Sequence, residues 1–258
     1  MGLNTSLKEK IMFKNTKELV FLSMFSAIIL MMSLIPNLGF IVLFPGISIT
    51  IIHIPVLVGV MIVSRKQAIL LGLMFGLGSL SAALMRASTP IELAFINPLI
   101  SVLPRILFAW FAYEIFHVLA WLSNKVSPLV SLWFVRVIFL FGLYLLGLYL
   151  IDVLEINPIL IWMGLAISYV LLIMLTIRYV RKGKNQAFIA SAALISTLVH
   201  TILVLSALVL IRPEFFNTTL GGAVDIIYGI MATNGVLEAV AATLIVTPIV
   251  LTLKEVIR

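Results

Sequence analysis

The sequence predicts an all-α membrane protein, a polytopic bundle of helices that cross the bilayer several times. Hydrophobic residues make up 63% of the 258 residues and charged residues only 10%, whereas soluble domains have about 45–50% and about 25%. No charged residue occurs between Glu18 and Arg65. So few charges cannot cover a globular surface in water, and the composition therefore excludes a soluble catalytic or nucleotide-binding domain.

The gaps between charged residues predict eight spans, since a spanning helix needs about 20 apolar residues. Pro36 and Gly39 break the long uncharged stretch, and Pro45-Gly46 predicts a turn within it. A basic tail at 1–17 then precedes a single transmembrane domain at 18–258. The predicted spans are 18–36, about 50–63, 67–85, 97 to about 123, about 131–151, about 157–178, 186–211 and 225–253.

The distribution of Lys and Arg predicts the orientation of these spans. With the N-terminus inside, the cytoplasmic segments hold fourteen of the 17 basic residues, the outer segments hold Arg86 and Arg212, and Arg105 lies within the membrane. Short cytoplasmic loops are enriched in Lys and Arg, so the sequence predicts a cell-membrane protein with both termini in the cytoplasm. The basic excess is a rim facing anionic lipid headgroups, and no nucleic-acid partner is predicted.

Ionisable side chains at membrane depth indicate a functional site, and Arg105 is the principal one. Asn97, Ser101 and Arg105 are spaced by four and share a helix face. Pro104 predicts a kink that frees a nearby backbone carbonyl. A guanidinium binds a carboxylate through two parallel hydrogen bonds. These residues therefore predict a site for a carboxylate ligand.

Further polar residues are predicted to line an outward-opening cup with Arg105 at its base. They are Asn234 and Glu238 on the last span, His200 in the middle of its span, and Thr50 and His53 at the outer end of the second span. Alternatives stay open for three of them: Arg105 and Glu238 could pair with each other, Asn234 could join two helices by a hydrogen bond, and His200 could be structural. The polar loop at about 85–96 is predicted to close over the ligand.

The sequence contains none of the usual signatures of catalysis. The HExxH, GxSxG and GxxxxGK[ST] patterns are absent, the three histidines lack metal-ligand spacing, and there is no cysteine for a disulfide or a thiolate site. A binding protein or carrier without a cofactor or metal is therefore favoured over an enzyme. Gly72, Gly76 and Gly78 predict a close-packing face on the third span.

Three stretches together resemble a known family. They are ISITIIHIPVLVG at 47–59, FINPLISVLPRILFAWFAYEIF at 95–116 and TNGVLEAVAATLIVTPIV at 233–250. In this order they resemble the S component of energy-coupling factor vitamin transporters, and most closely its pantothenate-specific type. The resemblance covers about 18–124 and 186–253. It implies a six-helix core, so the pair of spans at about 127–184 would be an insertion.

The resemblance also implies a function and partners. An S component binds a vitamin from outside and docks on one transmembrane coupling subunit with two cytoplasmic ATPase subunits, whose ATP hydrolysis drives uptake. The family docks through small residues on the first helix, which correspond here to Ser23 and Ala27. Two other functions are alternatives: a self-sufficient secondary transporter of a small organic anion using Glu238 and Arg105, and an intramembrane hydrolase using His200 and Glu238.

Overall fold

A computed structural model shows a chain that is mostly helical. It describes residues 2–36, 38–44, 47–88, 90–125, 184–216 and 235–257, together with isolated positions between 137 and 174. Two strands precede the second helix, β1 (Phe40–Phe44) and β2 (Ile47–Thr50). The helices are α1 (Gly2–Leu34), α2 (His53–Val60), α3 (Arg65–Arg86), α4 (Pro90–Ala94), α5 (Pro98–Ser101), α6 (Leu103–Lys125), α7 (Lys184–Ile211), a short 3-10 helix (Pro213–Phe216) and α8 (Val236–Ile257).

Three of the described helical segments are long and apolar enough to cross a membrane: Arg65–Arg86, Pro98–Ser123 and Phe188–Ile211. They coincide with the predicted spans at 67–85, 97 to about 123 and 186–211. The helical class and the membrane character of the chain are thereby confirmed. The full count of eight spans stays a prediction, because the two spans predicted at about 131–151 and about 157–178 lie largely outside the described residues.

The first two predicted helices differ from the structure in their bounds. Helix α1 begins at Gly2, so it runs through the segment 1–17 that was predicted as a tail. The predicted helix at about 50–63 is only the eight-residue α2. At about 1.5 Å per residue, α2 is too short to cross a bilayer by itself.

An antiparallel hairpin occupies part of the chain that was predicted to be helix or loop. Phe40 pairs with Thr50 and Ile41 with Ile49, with an irregularity between Val42 and Phe44. Its strands, FIVLF and ISIT, are rich in the β-branched and aromatic residues that favour extended backbone. The turn predicted at Pro45-Gly46 lies outside the described residues.

One hydrophobic core joins α1, α2, α3, α6, α7 and α8. Its fully buried side chains include Ile29, Leu57, Leu71, Phe108 and Val246, each from a different helix. Many large apolar side chains are nevertheless exposed on the outer surfaces of the helices, among them Leu70, Leu77 and Leu84 on α3. Such an apolar exterior is the surface that a lipid bilayer covers.

The glycines of α3 allow two neighbouring helices to approach closely. A Cβ atom on Gly76 would lie 2.7 Å from Val102 Cα, and one on Gly72 would lie 2.7 Å from Ala109 Cβ. A Cβ on Gly78 would instead lie 2.6 Å from Ser33 Oγ of α1. The prediction of one glycine face is therefore corrected: Gly72 and Gly76, four apart, face the α5–α6 segment, and Gly78 faces α1.

Replacing Gly76 with valine is expected to lower the thermal unfolding midpoint in mild detergent. The added side chain meets the backbone of residue 102, which cannot move aside as a flexible side chain would. Overpacking of this kind costs about 1–3 kcal/mol. The control is Leu77→Val, which places the same residue one position along on the exposed side of α3. Equal midpoints for the two variants would contradict the close approach.

Polar contacts tie the ends of α3 to its neighbours. Arg65 at the start of α3 forms an ion pair with Glu114 of α6. At the other end, Arg86 donates to the carbonyls of Ser33 (2.7 Å) and Leu34 (3.2 Å) at the end of α1. The last carbonyls of a helix generally need partners from outside the helix. Arg86 therefore fixes α1 against α3 at the end from which the chain continues towards α4.

Candidate binding site

Arg105 lies in the first turn of α6 and is 7% exposed. Its Nη1 donates to the carbonyl of Ile100 at 2.6 Å, while its Nε has no hydrogen-bond partner among the described residues. The carbonyl of Ile100 is the one that Pro104 leaves without a helical donor, because proline has no N–H. The carbonyl predicted to be freed by Pro104 is thus satisfied by the Arg105 side chain.

Two aromatic rings flank the Arg105 guanidinium. Its Cζ lies 5.7 Å from the ring centre of Phe75 on α3 and 5.1 Å from that of Phe95, which precedes α5. A cation over an aromatic face is stabilised by about 0.5–2 kcal/mol. The rings contact the guanidinium without neutralising its charge, so the guanidinium retains its capacity to bind an anion.

A pair of buried histidines lies close to Phe75. The rings of His53 and His200 are stacked with centroids 5.7 Å apart, and His200 also contacts Phe75 (5.5 Å) and Phe108 (4.7 Å). Phe75 therefore contacts both His200 and Arg105. The imidazoles of His53 on α2 and His200 on α7 therefore lie in the same part of the bundle as the arginine.

The histidine pair carries unused hydrogen-bonding capacity. Both ring nitrogens of His53 and of His200, and the hydroxyl of Ser196 one turn before His200, are buried without a hydrogen-bond partner in the described part of the chain. The nearby hydroxyls of Thr197 and Thr201 donate to carbonyls of their own helix. Because a buried polar atom without a partner is costly, this cluster is suited to the polar groups of a ligand.

Glu238 at the start of α8 has a different partner from the one considered for it. Its Oε1 accepts the backbone N–H of Thr50 at 2.8 Å, which ties α8 to the end of β2. No ion pair joins Glu238 to Arg105 in the structure, which describes both side chains. The carboxylate therefore anchors the hairpin that leads into α2 and His53, and Thr50 contributes through its backbone.

The other predicted site residues have local roles or cannot be placed. The side chain of Asn97 caps α5 by accepting the N–H of Leu99 (3.0 Å), and Ser101 is buried and donates to the Asn97 carbonyl (3.1 Å). Both hydrogen bonds stabilise the short helix α5, which precedes the interruption between α5 and α6. Asn234 lies outside the described residues. Because Asn97 uses its side-chain oxygen as a helix cap, its contribution to the site lies mainly in positioning.

Three residues of the site were not singled out as ligand contacts in the sequence. Phe75 and Phe95 look like ordinary apolar residues of a membrane helix, and only their contacts with Arg105 distinguish them. Ser196 lies four residues before His200, and that spacing was the available signal in the sequence. That its hydroxyl has no partner among the described residues depends on the tertiary packing.

The loop predicted to act as a lid, at about 85–96, contains the short helix α4 and ends at Phe95. The Glu92 carboxylate accepts from the N–H (2.8 Å) and hydroxyl (2.9 Å) of Ser88, which orders the start of α4. Ala94 is buried against Ile100 and Leu208, with Phe95 packed beside them. The loop therefore brings an aromatic ring directly against the Arg105 guanidinium.

The residues predicted to dock a partner are exposed on α1. Ser23 and Ala27 lie one turn apart, and the Ser23 hydroxyl donates to the Leu19 carbonyl of its own helix at 2.9 Å. Exposed Val20, Met24 and Met31 flank them. Two small residues thus lie between large, exposed apolar side chains on the surface of α1.

The arrangement provides one buried cation, several neutral hydrogen-bonding atoms and aromatic walls. No group of three or more metal-ligating side chains is found among the residues that the structure describes. The sequence matches no protein-family model and no curated protein. The functional conclusion therefore depends on the chemistry of this site and on the family resemblance of the sequence.

Proposed function

We propose that this protein is the substrate-binding S component of an energy-coupling factor type vitamin transporter. The observation that carries the proposal is the buried guanidinium of Arg105, which has aromatic neighbours but no acidic partner among the described residues. A charge buried in a membrane helix is costly and marks a substrate or ion pathway. A ligand carboxylate would supply the missing counter-charge.

The histidine cluster narrows the class of ligand. The side-chain atoms of His53, Ser196 and His200 that have no partner within the described part of the chain are neutral donors and acceptors suited to hydroxyl or amide groups. A ligand with a carboxylate at one end and such groups along its length satisfies both parts of the site. Pantothenate has this chemistry, and the sequence most resembles the pantothenate-specific type. A plain fatty acid would leave the histidine cluster unsatisfied.

Transport in this proposal depends on partners. The sequence has no GxxxxGK[ST] loop to hold ATP phosphates, so two cytoplasmic ATPase subunits would supply the energy through a transmembrane coupling subunit. The face of α1 that carries Ser23 and Ala27 is the proposed contact with the coupling subunit. Small residues favour such contacts, because helices associate in lipid through close packing.

Gentle affinity purification from the native membrane tests this proposal. An S component should bring down two related ATPases and a second membrane subunit, and should drive pantothenate uptake in proteoliposomes only with those subunits and ATP present. Uptake by the purified chain alone, driven by an ion gradient, would instead support a secondary transporter. Hydrolysis of an added ester or amide by the chain alone would support an intramembrane hydrolase.

Binding of pantothenate is expected to slow amide hydrogen exchange in residues 88–97. This loop holds Phe95 against Arg105. A ligand bound to the guanidinium would therefore stabilise the loop in this position. We expect exchange to slow by about tenfold, which corresponds to about 1.4 kcal/mol. The 3-10 helix at Pro213–Phe216 serves as the control segment. Unchanged exchange in 88–97 at saturating ligand would show that the loop is only a connector.

A further inference from the structure

The chain breaks between α5 and α6 in a way that involves the Arg105 side chain. In a continuous helix the carbonyl of Ile100 would accept the N–H of residue 104, but residue 104 is a proline and has none. The Arg105 guanidinium takes that place, with Nη1 at 2.6 Å from the Ile100 oxygen. The backbone N–H of Arg105 donates to the carbonyl of Val102, three residues earlier, at 3.2 Å. This spacing is that of a 3-10 turn, which is more tightly wound than an α-helix.

We propose that Pro104 is a positioning residue for ligand binding, because the carbonyl it leaves free holds the Arg105 guanidinium in a fixed direction. Nη1 of the guanidinium donates to the Ile100 carbonyl, and Cζ lies 5.7 Å from the ring centre of Phe75 and 5.1 Å from that of Phe95. Nε stays without a protein partner among the described residues. The ligand thus meets a guanidinium whose direction is already set.

Fixing the guanidinium matters because an arginine binds a carboxylate best through two parallel N–H···O bonds, and these require one orientation of the guanidinium. A long flexible side chain must otherwise lose rotamer freedom when the ligand arrives, which weakens binding. The carbonyl of Ile100 and the proline that frees it provide this order in the ligand-free protein. The inference rests on the proposed function where it concerns the ligand, whereas the orientation of Arg105 is independent of any ligand.

The test compares Pro104→Ala with Pro248→Ala. Both variants remove a proline from a helix and restore a backbone N–H, but Pro248 is an exposed residue of a different helix, α8. The first readout is nuclear magnetic resonance of protein labelled with ¹⁵N-arginine. A guanidinium held through Nη1 rotates slowly and gives separate Nη signals, which are assigned by their loss in Arg105→Lys.

We expect separate Arg105 Nη signals in the parent and in Pro248→Ala, and one averaged signal in Pro104→Ala, where the new N–H competes for the Ile100 carbonyl. Separate signals that persist in Pro104→Ala would overturn the proposal. An averaged signal in the parent would overturn it as well, even if Pro104→Ala failed to fold.

The second readout is pantothenate affinity by titration calorimetry, measured alongside the thermal midpoint. Pro104→Ala should bind about tenfold more weakly or worse, with a midpoint no lower than that of the parent, while Pro248→Ala stays within about twofold. Parent-like affinity, or a midpoint that falls together with the affinity, would overturn the positioning role. If the parent binds no pantothenate, the proposed ligand is wrong, and the Nη signals alone still decide whether Pro104 orients Arg105.

Discussion

Replacing Arg105 with alanine is expected to abolish binding of the carboxylate ligand in a protein that stays folded and inserted. The guanidinium is the buried cation of the site and has no acidic partner within the described chain. Losing a charge-assisted bond to a buried anion costs about 2–5 kcal/mol, or about 30-fold or more in affinity. The measurement is calorimetric titration with pantothenate on a monodisperse sample.

Arg212→Ala is the control for a general loss of positive charge. Arg212 pairs with Glu214 beyond the end of α7 and is partly exposed, so its removal should leave the affinity unchanged. If Arg105 serves only to satisfy the Ile100 carbonyl, the alanine variant should unfold at a lower temperature and retain its affinity. Parent-like affinity in Arg105→Ala would therefore contradict a ligand-binding role.

Ala27→Trp is expected to block ATP-driven uptake while ligand binding by the isolated protein survives. Ala27 and Ser23 are exposed, with no packing partner on their face of α1 in the described structure. A tryptophan there leaves the core intact but prevents the close helix approach that small residues allow. Uptake is measured in proteoliposomes that contain the complete transporter, and binding is measured by calorimetry.

Ile202→Trp is the matched control, since Ile202 is an exposed apolar residue on a different helix, α7. It should bind and transport as the parent does. Normal uptake by Ala27→Trp would contradict docking through this face. Loss of binding in Ala27→Trp, with binding retained in Ile202→Trp, would mean that the face is needed inside the protein.

The helices could be predicted because lipid leaves the backbone few alternatives. Every backbone polar group must be satisfied within the membrane, so a long apolar run without charges indicates a helix, as α3 and α7 show. The hairpin was missed because its apolar, β-branched residues also suit a membrane helix. Its strand pairing of Phe40 with Thr50 is accompanied by a contact with the distant helix α8, whose Glu238 accepts the Thr50 N–H.

The ionisable residues of the candidate site could be proposed from the sequence, whereas its aromatic residues and most of its contacts could not. A lone arginine and two histidines at membrane depth are conspicuous in the sequence, and the structure brings Arg105 and His200 to the same phenylalanine. Spacing along one helix cannot show which residues on other helices complete the pairings. Glu238 was therefore considered as a partner of Arg105, whereas tertiary packing directs its carboxylate to Thr50.

The measurement that tests the central claim most directly is native mass spectrometry of the protein purified gently from its membrane. We expect a bound small carboxylic acid whose mass matches pantothenate or another carboxylate vitamin, with the adduct lost in Arg105→Ala and kept in Arg212→Ala. A parent protein that carries only lipid, and that gains no adduct when pantothenate, biotin or folate is added, would contradict the proposed function.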